Sequence, residues 1–208
     1  MVSVFKDVDV SEWTFSDVKV NARGGKSVYI NNASGGRIMP IQIACDDDEE
    51  LPRAIFGITS PPGTNISGDR KNMCISLPSD ELRTFLNNID NLIVAEAKAK
   101  KWLGNIPEPE YATRYHRLVA GNNLTPYMRT KIGVRYVKVY IAENTIGTIA
   151  DVAPKTSIIP IVNILPIWFY EGKYGVSIEC THILIQKNDM EDFIFLTKNP
   201  MECTNKRL

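Results

Sequence analysis

The hydrophobic positions of this chain repeat mostly with the two-residue period of β-strands. Alternating apolar runs bounded by turn residues predict strands at residues 17–21, 27–31, 37–44, 72–77, 113–119, 131–141, 158–170 and 173–187. The last two are predicted to form a hairpin that turns at Glu171 and Gly172, with a bulge at Gly175. The pattern therefore indicates a mainly β protein.

One stretch has the period of an amphipathic helix instead. Ser79 is the predicted N-cap, and the following apolar residues fall on one helical face: Leu82, Phe85, Leu86, Ile89, Leu92 and Ile93. Pro107 and Pro109 are expected to end any helix and to begin a second β half. Strands on both sides of one helix, without alternating βαβ units, predict a barrel or a sandwich rather than a parallel sheet.

Composition excludes several classes of protein. The four cysteines lack the C-x2-C spacing of a zinc site, and the two histidines form no catalytic motif with neighbouring residues, so neither a metal nor a cofactor is expected. Residues 1–10 lack the pattern of a secretory signal, and the apolar run at 158–170 is too short to cross a bilayer. We therefore expect an intracellular protein without a membrane partner. The acidic run at residues 46–50 is predicted to be an exposed loop.

Charge is balanced over the whole chain but not along it. The 24 Lys and Arg residues equal the 24 Asp and Glu residues, so a nucleic-acid role must rest on how the charges are distributed. Residues 98–140 contain nine cations and only two carboxylates, with six aromatic rings between them. A single nucleic-acid strand favours this combination, because its phosphates attract cations and its exposed bases stack on flat rings.

This segment supplies most of the candidate binding residues, namely Lys101, Trp102, Arg114, Tyr115, Arg117, Lys131, Arg135, Tyr136, Lys138 and Tyr140. Lys71 joins them from the basic end of a loop at 61–71. Strand alternation places Tyr136, Lys138 and Tyr140 on one face of the predicted strand and Arg135 on the other. The alternative stays open that the tyrosines are barrel core and the cations a solvated face.

Short motifs spread along the chain resemble a known family. The segment IWFYEGKYGVSI at 167–178 resembles the closing segment of the OB-fold single-stranded DNA-binding proteins of large eukaryotic DNA viruses and tailed phages. GKSVYI at 25–30, PIQI at 40–43, FGI at 56–58 and KWLG at 101–104 are similar to earlier landmarks in the same order. The C-terminus, NKRL, departs from the acidic tail common in that family.

The resemblance implies an OB-type Greek-key barrel with additional strands and one main amphipathic helix, as one domain over residues 1–208 with a flexible tail at 189–208. It implies coating of single-stranded DNA during replication, recombination or repair, with no cofactor and no catalysis. Further copies of the chain and replication proteins are implied partners, and sites of viral DNA replication in the host cytoplasm or nucleus are the implied location. Binding would be carried by aromatic and basic residues of the barrel, which adds Trp168 and Lys173.

Two other functions remain open from sequence. One is a structural or protein-interaction β-sandwich such as a virion component, and the other is an enzyme whose acidic and serine residues come together only in the fold. RNA also remains an alternative to DNA, since stacking and phosphate contacts serve both.

Overall fold

The structure is a computed structural model that describes residues 2–44, 50–60, 70–122, 124–142 and 145–186. Three features predicted from sequence fall outside these ranges: most of the acidic run at 46–50, the loop before Arg70, and the tail at 189–208.

Strands account for more of the described chain than helices do. In chain order they are β1 (Ser3–Val4), β2 (Thr14–Phe15), β3 (Lys19–Val20), β4 (Lys26–Val28), β5 (Ile30–Asn31), β6 (Ile41–Gln42), β7 (Arg53–Thr59), β8 (Arg70–Ser76), β9 (Tyr115–His116), β10 (Val119–Ala120), β11 (Tyr127–Gly133), β12 (Lys138–Ala142), β13 (Thr145–Gly147), β14 (Thr156–Ile164), β15 (Ile167–Tyr170), β16 (Lys173–Gly175) and β17 (Ile178–Gln186).

The main helix, α1, spans Asp80–Ala99 and lies between β8 and β9. The Ser79 hydroxyl accepts hydrogen bonds from the backbone N–H groups of Glu81 and Leu82, which confirms the predicted N-cap. The predicted apolar face is buried at Leu82, Phe85, Leu86, Ile89 and Ile93 and joins the hydrophobic core. Short 3-10 helices lie at Phe5–Asp7, Val10–Glu12 and Ile149–Asp151.

Five of the strands close into a barrel. Antiparallel pairing joins β14 to β7, β7 to β8, and β8 to β11, which is the 4-1-2-3 order of a Greek key. Strand β17 then pairs with β11 in parallel and with β14 in antiparallel fashion, and so closes the ring. The predicted fold is confirmed as an OB-type Greek-key barrel with additional strands and one main helix.

The long strand predicted at 131–141 is two strands. Residues 134–136 form a turn after β11, where the N–H groups of Tyr136 and Val137 both donate to the carbonyl oxygen of Gly133. Strands β11 and β12 both pair in parallel with β17, β11 with residues 178–180 and β12 with residues 182–184. The face assignment made for Arg135 and Tyr136 was therefore wrong, because neither residue lies in a strand.

The prolines after α1 also act differently from the prediction. Pro107 caps a second helix, α2 (Glu108–Thr113), and Pro109 lies in its first turn. Proline is compatible with the first turn because the N–H groups there have no intrahelical acceptor. Its fixed φ angle begins a helix here rather than excluding one.

The two longest apolar runs each divide between two sheets. The break at 165–166 separates β14 from β15, and the break at 176–177 separates β16 from β17. Strands β14 and β17 belong to the barrel. Strands β15 and β16 form a hairpin in a smaller sheet, ordered β3-β4-β15-β16-β9. The turn is at Glu171 and Gly172 as predicted, with φ angles of 48° and 72°, the positive values that a type I′ turn needs at both positions. A hydrogen bond from Leu165 N to Ser177 O, 2.9 Å long, closes the base of this hairpin.

Candidate nucleic-acid interface

Strands β8 and β11 present a polar, basic surface on the outside of the barrel. Met128, Thr130 and Ile132 of β11 are buried, so the alternate residues Arg129 and Lys131 point outward and are exposed. In the antiparallel ladder Arg129 lies opposite Cys74, and Lys131 lies opposite Asn72. The two-residue period of one strand thus places two cations side by side on one face.

A buried carboxylate fixes the segment that adds to this surface. Asp90 of α1 is 0% exposed, and its oxygens accept hydrogen bonds from the Tyr115 hydroxyl at 2.8 Å and the Leu118 N–H at 3.0 Å. These bonds hold Tyr115 and Leu118 in the core. The residues between them, His116 and Arg117, are consequently exposed toward the barrel face.

Burial is the largest influence on the pKa of Asp90. Desolvation raises the pKa of Asp90 to about 6, although the bonds from Tyr115 and Leu118 and the nearby charge of Arg117 act in the opposite direction. Burial likewise raises the pKa of Tyr115, with the Asp90 charge adding to the effect, so the phenol stays protonated and donates.

The hairpin brings an indole ring to the same surface. Trp168 of β15 and His116 of β9 are separated by Gly175 of β16, which pairs with both. Their ring centroids are 5.4 Å apart. A Cβ atom at Gly175 would lie 2.9 Å from the Trp168 ring and 3.0 Å from the Cβ of His116. Gly175 was predicted to be a β-bulge, but it is paired in the ladder with both Trp168 and His116. Because glycine has no side chain, the two rings can approach each other across it.

These three elements enclose one pocket of about 360 Å³. Its lining consists of Asn72, His116, Arg117, Leu118, Ala120, Arg129, Lys131, Trp168, Val176 and Ser177. Three cations and two ring systems therefore share one depression. None of its described lining residues is a carboxylate, although Glu179 lies beside Lys131 in the neighbouring strand.

A second group of predicted residues lies farther along the outer sheet surface. Lys138 pairs with His182 in the β12–β17 ladder, and the rings of Tyr140 and His182 are stacked with 6.5 Å between their centroids. Desolvation, and then the charge of Lys138, lowers the pKa of His182 below its usual value. Tyr136, in the turn, is 80% exposed, and its neighbour Arg135 is exposed as well. None of these four predicted residues lines the pocket that contains Lys131.

The tyrosine and tryptophan nearest α1 belong to the core instead. Tyr115 is 7% exposed and packs against Tyr174, while Trp102 is 8% exposed and packs against Phe15 and Phe169. For Tyr115 the core alternative is correct. Trp102 is also largely buried, although part of it lines a depression described below.

The remaining predicted residues lie apart from the pocket. Arg114 forms an ion pair with Glu110, and exposed Lys101 follows the end of α1. Lys173 lines a separate depression of about 500 Å³ with Trp102, Lys26 and Tyr170. Lys71 pairs with inward-facing Ile132, and its ammonium donates to the Ser60 hydroxyl at 2.7 Å.

Of the predicted residues, the pocket thus brings together Arg117, Lys131 and Trp168. The sequence reasoning did not include Asn72 and Arg129 among the candidates, and it left open whether His116, which lies between Arg114 and Arg117, faces DNA or water. Arg129 was recognisable, since it precedes Lys131 by two residues in an alternating strand. Asn72 carried no such signal, because only its ladder pairing with Lys131 places it there.

In the described part of the chain, no three His, Cys, Asp or Glu side chains come close enough together to bind a metal ion. The described helices include none with the length and apolarity needed to span a membrane.

Comparison with known proteins found similarity at the level of structure. No protein-family model matches the chain, and no curated protein matches it in sequence. One similar solved structure is the single-stranded DNA-binding protein from bacteriophage Enc34 in complex with ssDNA, at 12% identity and a TM-score of 0.47, covering 83% of this chain and 95% of that one. A structure of the phage protein with a C-terminal truncation has 12% sequence identity and a TM-score of 0.47, covering 83% of this chain and 94% of that one. A further structure of the phage protein has 10% sequence identity and a TM-score of 0.46, covering 84% of this chain and 92% of that one.

The Asp90 contact predicts a large loss of stability on truncation. Asp90→Ala leaves the buried donors of Tyr115 and Leu118 without their acceptor, at a cost of roughly 1–3 kcal/mol for each. Denaturant unfolding monitored by circular dichroism measures the change in unfolding free energy. Ser11→Ala, which removes an exposed hydroxyl that donates to Asp9, is the control and should have little effect. Equal stability of the Asp90→Ala variant and the control would contradict this role.

The raised pKa predicts a pH dependence of the same contact. Because folding raises the pKa of Asp90 from 3.8 to about 6, its carboxyl group binds more protons in the folded state, and its contribution to stability is expected to fall as the pH rises from 4 through 6. Asp90→Asn cannot titrate, so the difference in unfolding free energy between wild type and this variant should change in favour of the variant across that range. A difference that does not vary between pH 4 and pH 7 would show that Asp90 is not perturbed.

Proposed function

We propose that this chain is a single-stranded nucleic-acid-binding protein of the OB-barrel class. The observation that carries the proposal is the pocket on the outer face of β8 and β11, where Arg117, Arg129 and Lys131 lie around Trp168 and His116. These are the second and third barrel strands, and the hairpin that supplies Trp168 connects the fourth and fifth. OB barrels use this face and this connection for oligonucleotides.

The chemistry of the pocket favours a single strand over a duplex. Guanidinium and ammonium groups attract phosphates, and the indole and imidazole rings can stack on bases whose faces are open. A duplex buries the faces of its bases in its own stack and gives Trp168 nothing to contact. The two kinds of group lie within one pocket of about 360 Å³, so one short stretch of strand can meet both.

More particularly, we propose a single-stranded DNA-binding protein that coats and protects strands during replication, recombination or repair. Stacking and phosphate contacts are available to every nucleotide, so binding should show little sequence preference. The activity needs no cofactor and no chemical step. Competition between oligo-dT and oligo-U distinguishes DNA from RNA as the preferred ligand.

The proposed function makes a prediction about the phosphate contacts. Arg129→Ala and Lys131→Ala should each weaken oligo-dT binding and reduce the slope of log affinity against log salt by about 0.7, the value for one phosphate contact on a single strand. Fluorescence anisotropy of a labelled oligonucleotide at several salt concentrations measures both quantities.

Lys98→Ala is the matched control for these variants, because its ammonium is paired with Glu108 at 2.6 Å and it does not line the pocket. Its salt slope should equal that of wild type. If Arg129→Ala and Lys131→Ala also kept the wild-type slope, the pocket would not be the phosphate site.

The second prediction concerns the stacking ring. The chain has three tryptophans, of which Trp13 and Trp102 are each 8% exposed, whereas Trp168 lines the pocket. Oligo-dT should therefore quench the intrinsic fluorescence of Trp168. Trp168→Phe should abolish most of the quenching but retain binding, and Trp168→Ala should weaken binding by about 1–3 kcal/mol with the salt slope preserved.

Titration of intrinsic tryptophan emission, alongside anisotropy of the labelled oligonucleotide, separates these effects. Quenching of the same size in the Trp168→Phe variant would place the bound strand elsewhere on the protein.

A further inference from the structure

The small sheet carries a row of residues that leads away from the pocket. Ladder pairing aligns His116 of β9, Gly175 of β16, Trp168 of β15, Ser27 of β4 and Lys19 of β3. Because directly paired residues point to the same side of a sheet, the four side chains of this row share one face. With neighbouring strands about 4.8 Å apart, the two steps from Trp168 through Ser27 to Lys19 carry the row about 10 Å beyond the pocket.

The far end of the row repeats the chemistry of the pocket. The Lys19 ammonium lies 5.0 Å from the centroid of the Tyr29 ring, and Tyr29 is 45% exposed. Tyr29 lies between β4 and β5, exposed between the buried residues Val28 and Ile30, and its contact with Lys19 places its ring beside the row. A cation and an exposed ring therefore stand together at this end of the row.

The residues between the two ends leave the surface open. Ser27 alone separates Trp168 from Lys19 in the register, and its side chain is short. Gly175, on the other side of Trp168, lies under the Trp168 and His116 rings and belongs to the pocket end of the row. The row is thus a shallow path across the strands, with ring and cation groups at both ends.

We propose that a bound single strand leaves the pocket and crosses the outer face of the small sheet along this row, with Tyr29 and Lys19 forming a second stacking and phosphate site. This inference rests on the proposed function and extends it, because it sets the direction of the strand and the length of the binding site. A long oligonucleotide occupies both sites, and a short one occupies the pocket only.

The test compares a thymidine dinucleotide with oligo-dT of about 16 nucleotides, the upper end of the site sizes of one OB fold. The dinucleotide is too short to occupy both sites, because successive charges of one strand are only about 3.4 Å apart and the sites are separated by about 10 Å. Tyr29→Ala should weaken binding of the long oligonucleotide about fivefold or more and leave the short one unchanged, because loss of one stacked base affects only strands that reach it. Lys19→Glu should do the same and should also reduce the salt slope for the long oligonucleotide only. Tyr29→Phe keeps the ring and is the control, with wild-type binding expected for both lengths.

Thermal melting of each variant shows whether it is folded, and Lys19→Glu carries the test if Tyr29→Ala is not. Unchanged binding of the long oligonucleotide by folded Tyr29→Ala and Lys19→Glu would overturn the path while leaving the pocket intact. An equal loss for both lengths would also overturn it, because the effect would not depend on reach. Failure of the wild-type protein to bind either length would instead remove the proposed function itself.

Discussion

The parallel pairing of β17 with β11 is the constraint on which the arrangement of the interface depends. It sets Thr130 beside Ile178 and Lys131 beside Glu179, so the chain segment immediately before β17 emerges next to the two cations of β11. That segment is the return arm of the β15–β16 hairpin. The same strand that closes the barrel therefore also places Trp168 against its basic face, and a different register would separate the ring from the charges.

Hydrogen bonds in the protein interior hold the residues of this surface in place. Asp90 of the main helix binds Tyr115 and Leu118, and Tyr174 of β16 donates its hydroxyl to the carbonyl of Tyr111. These contacts anchor the segment carrying His116 and Arg117 to both the helix and the hairpin. Burying a carboxylate costs free energy, which its raised pKa reflects, but it leaves the positions of the exposed side chains little freedom. A site that binds by stacking benefits from rings whose positions are set before the ligand arrives.

Sequence patterns predicted the class of fold and the helix well, because alternation, the Ser79 cap and the Glu171-Gly172 turn are local signals. They could not predict which aromatic residues are buried. Tyr115 and His116 are adjacent, yet one faces the core and the other the pocket, and the choice depends on Asp90 twenty-five positions earlier in the chain. The same limit applies to Trp102, whose neighbours Phe15 and Phe169 come from distant strands. Arg129 was predictable from its strand, whereas the partnership of Trp168 with His116 depends on the absence of a side chain at Gly175.

The central claim is that open bases lie against Trp168 and His116. Photocrosslinking of an oligo-dT that contains 5-iododeoxyuridine, followed by mass spectrometry of the digested complex, identifies the contacting side chains directly. We expect the main crosslinked peptides to contain Trp168 and His116. Crosslinks confined to peptides without either residue, for example to exposed Phe56 on β7, would contradict the account.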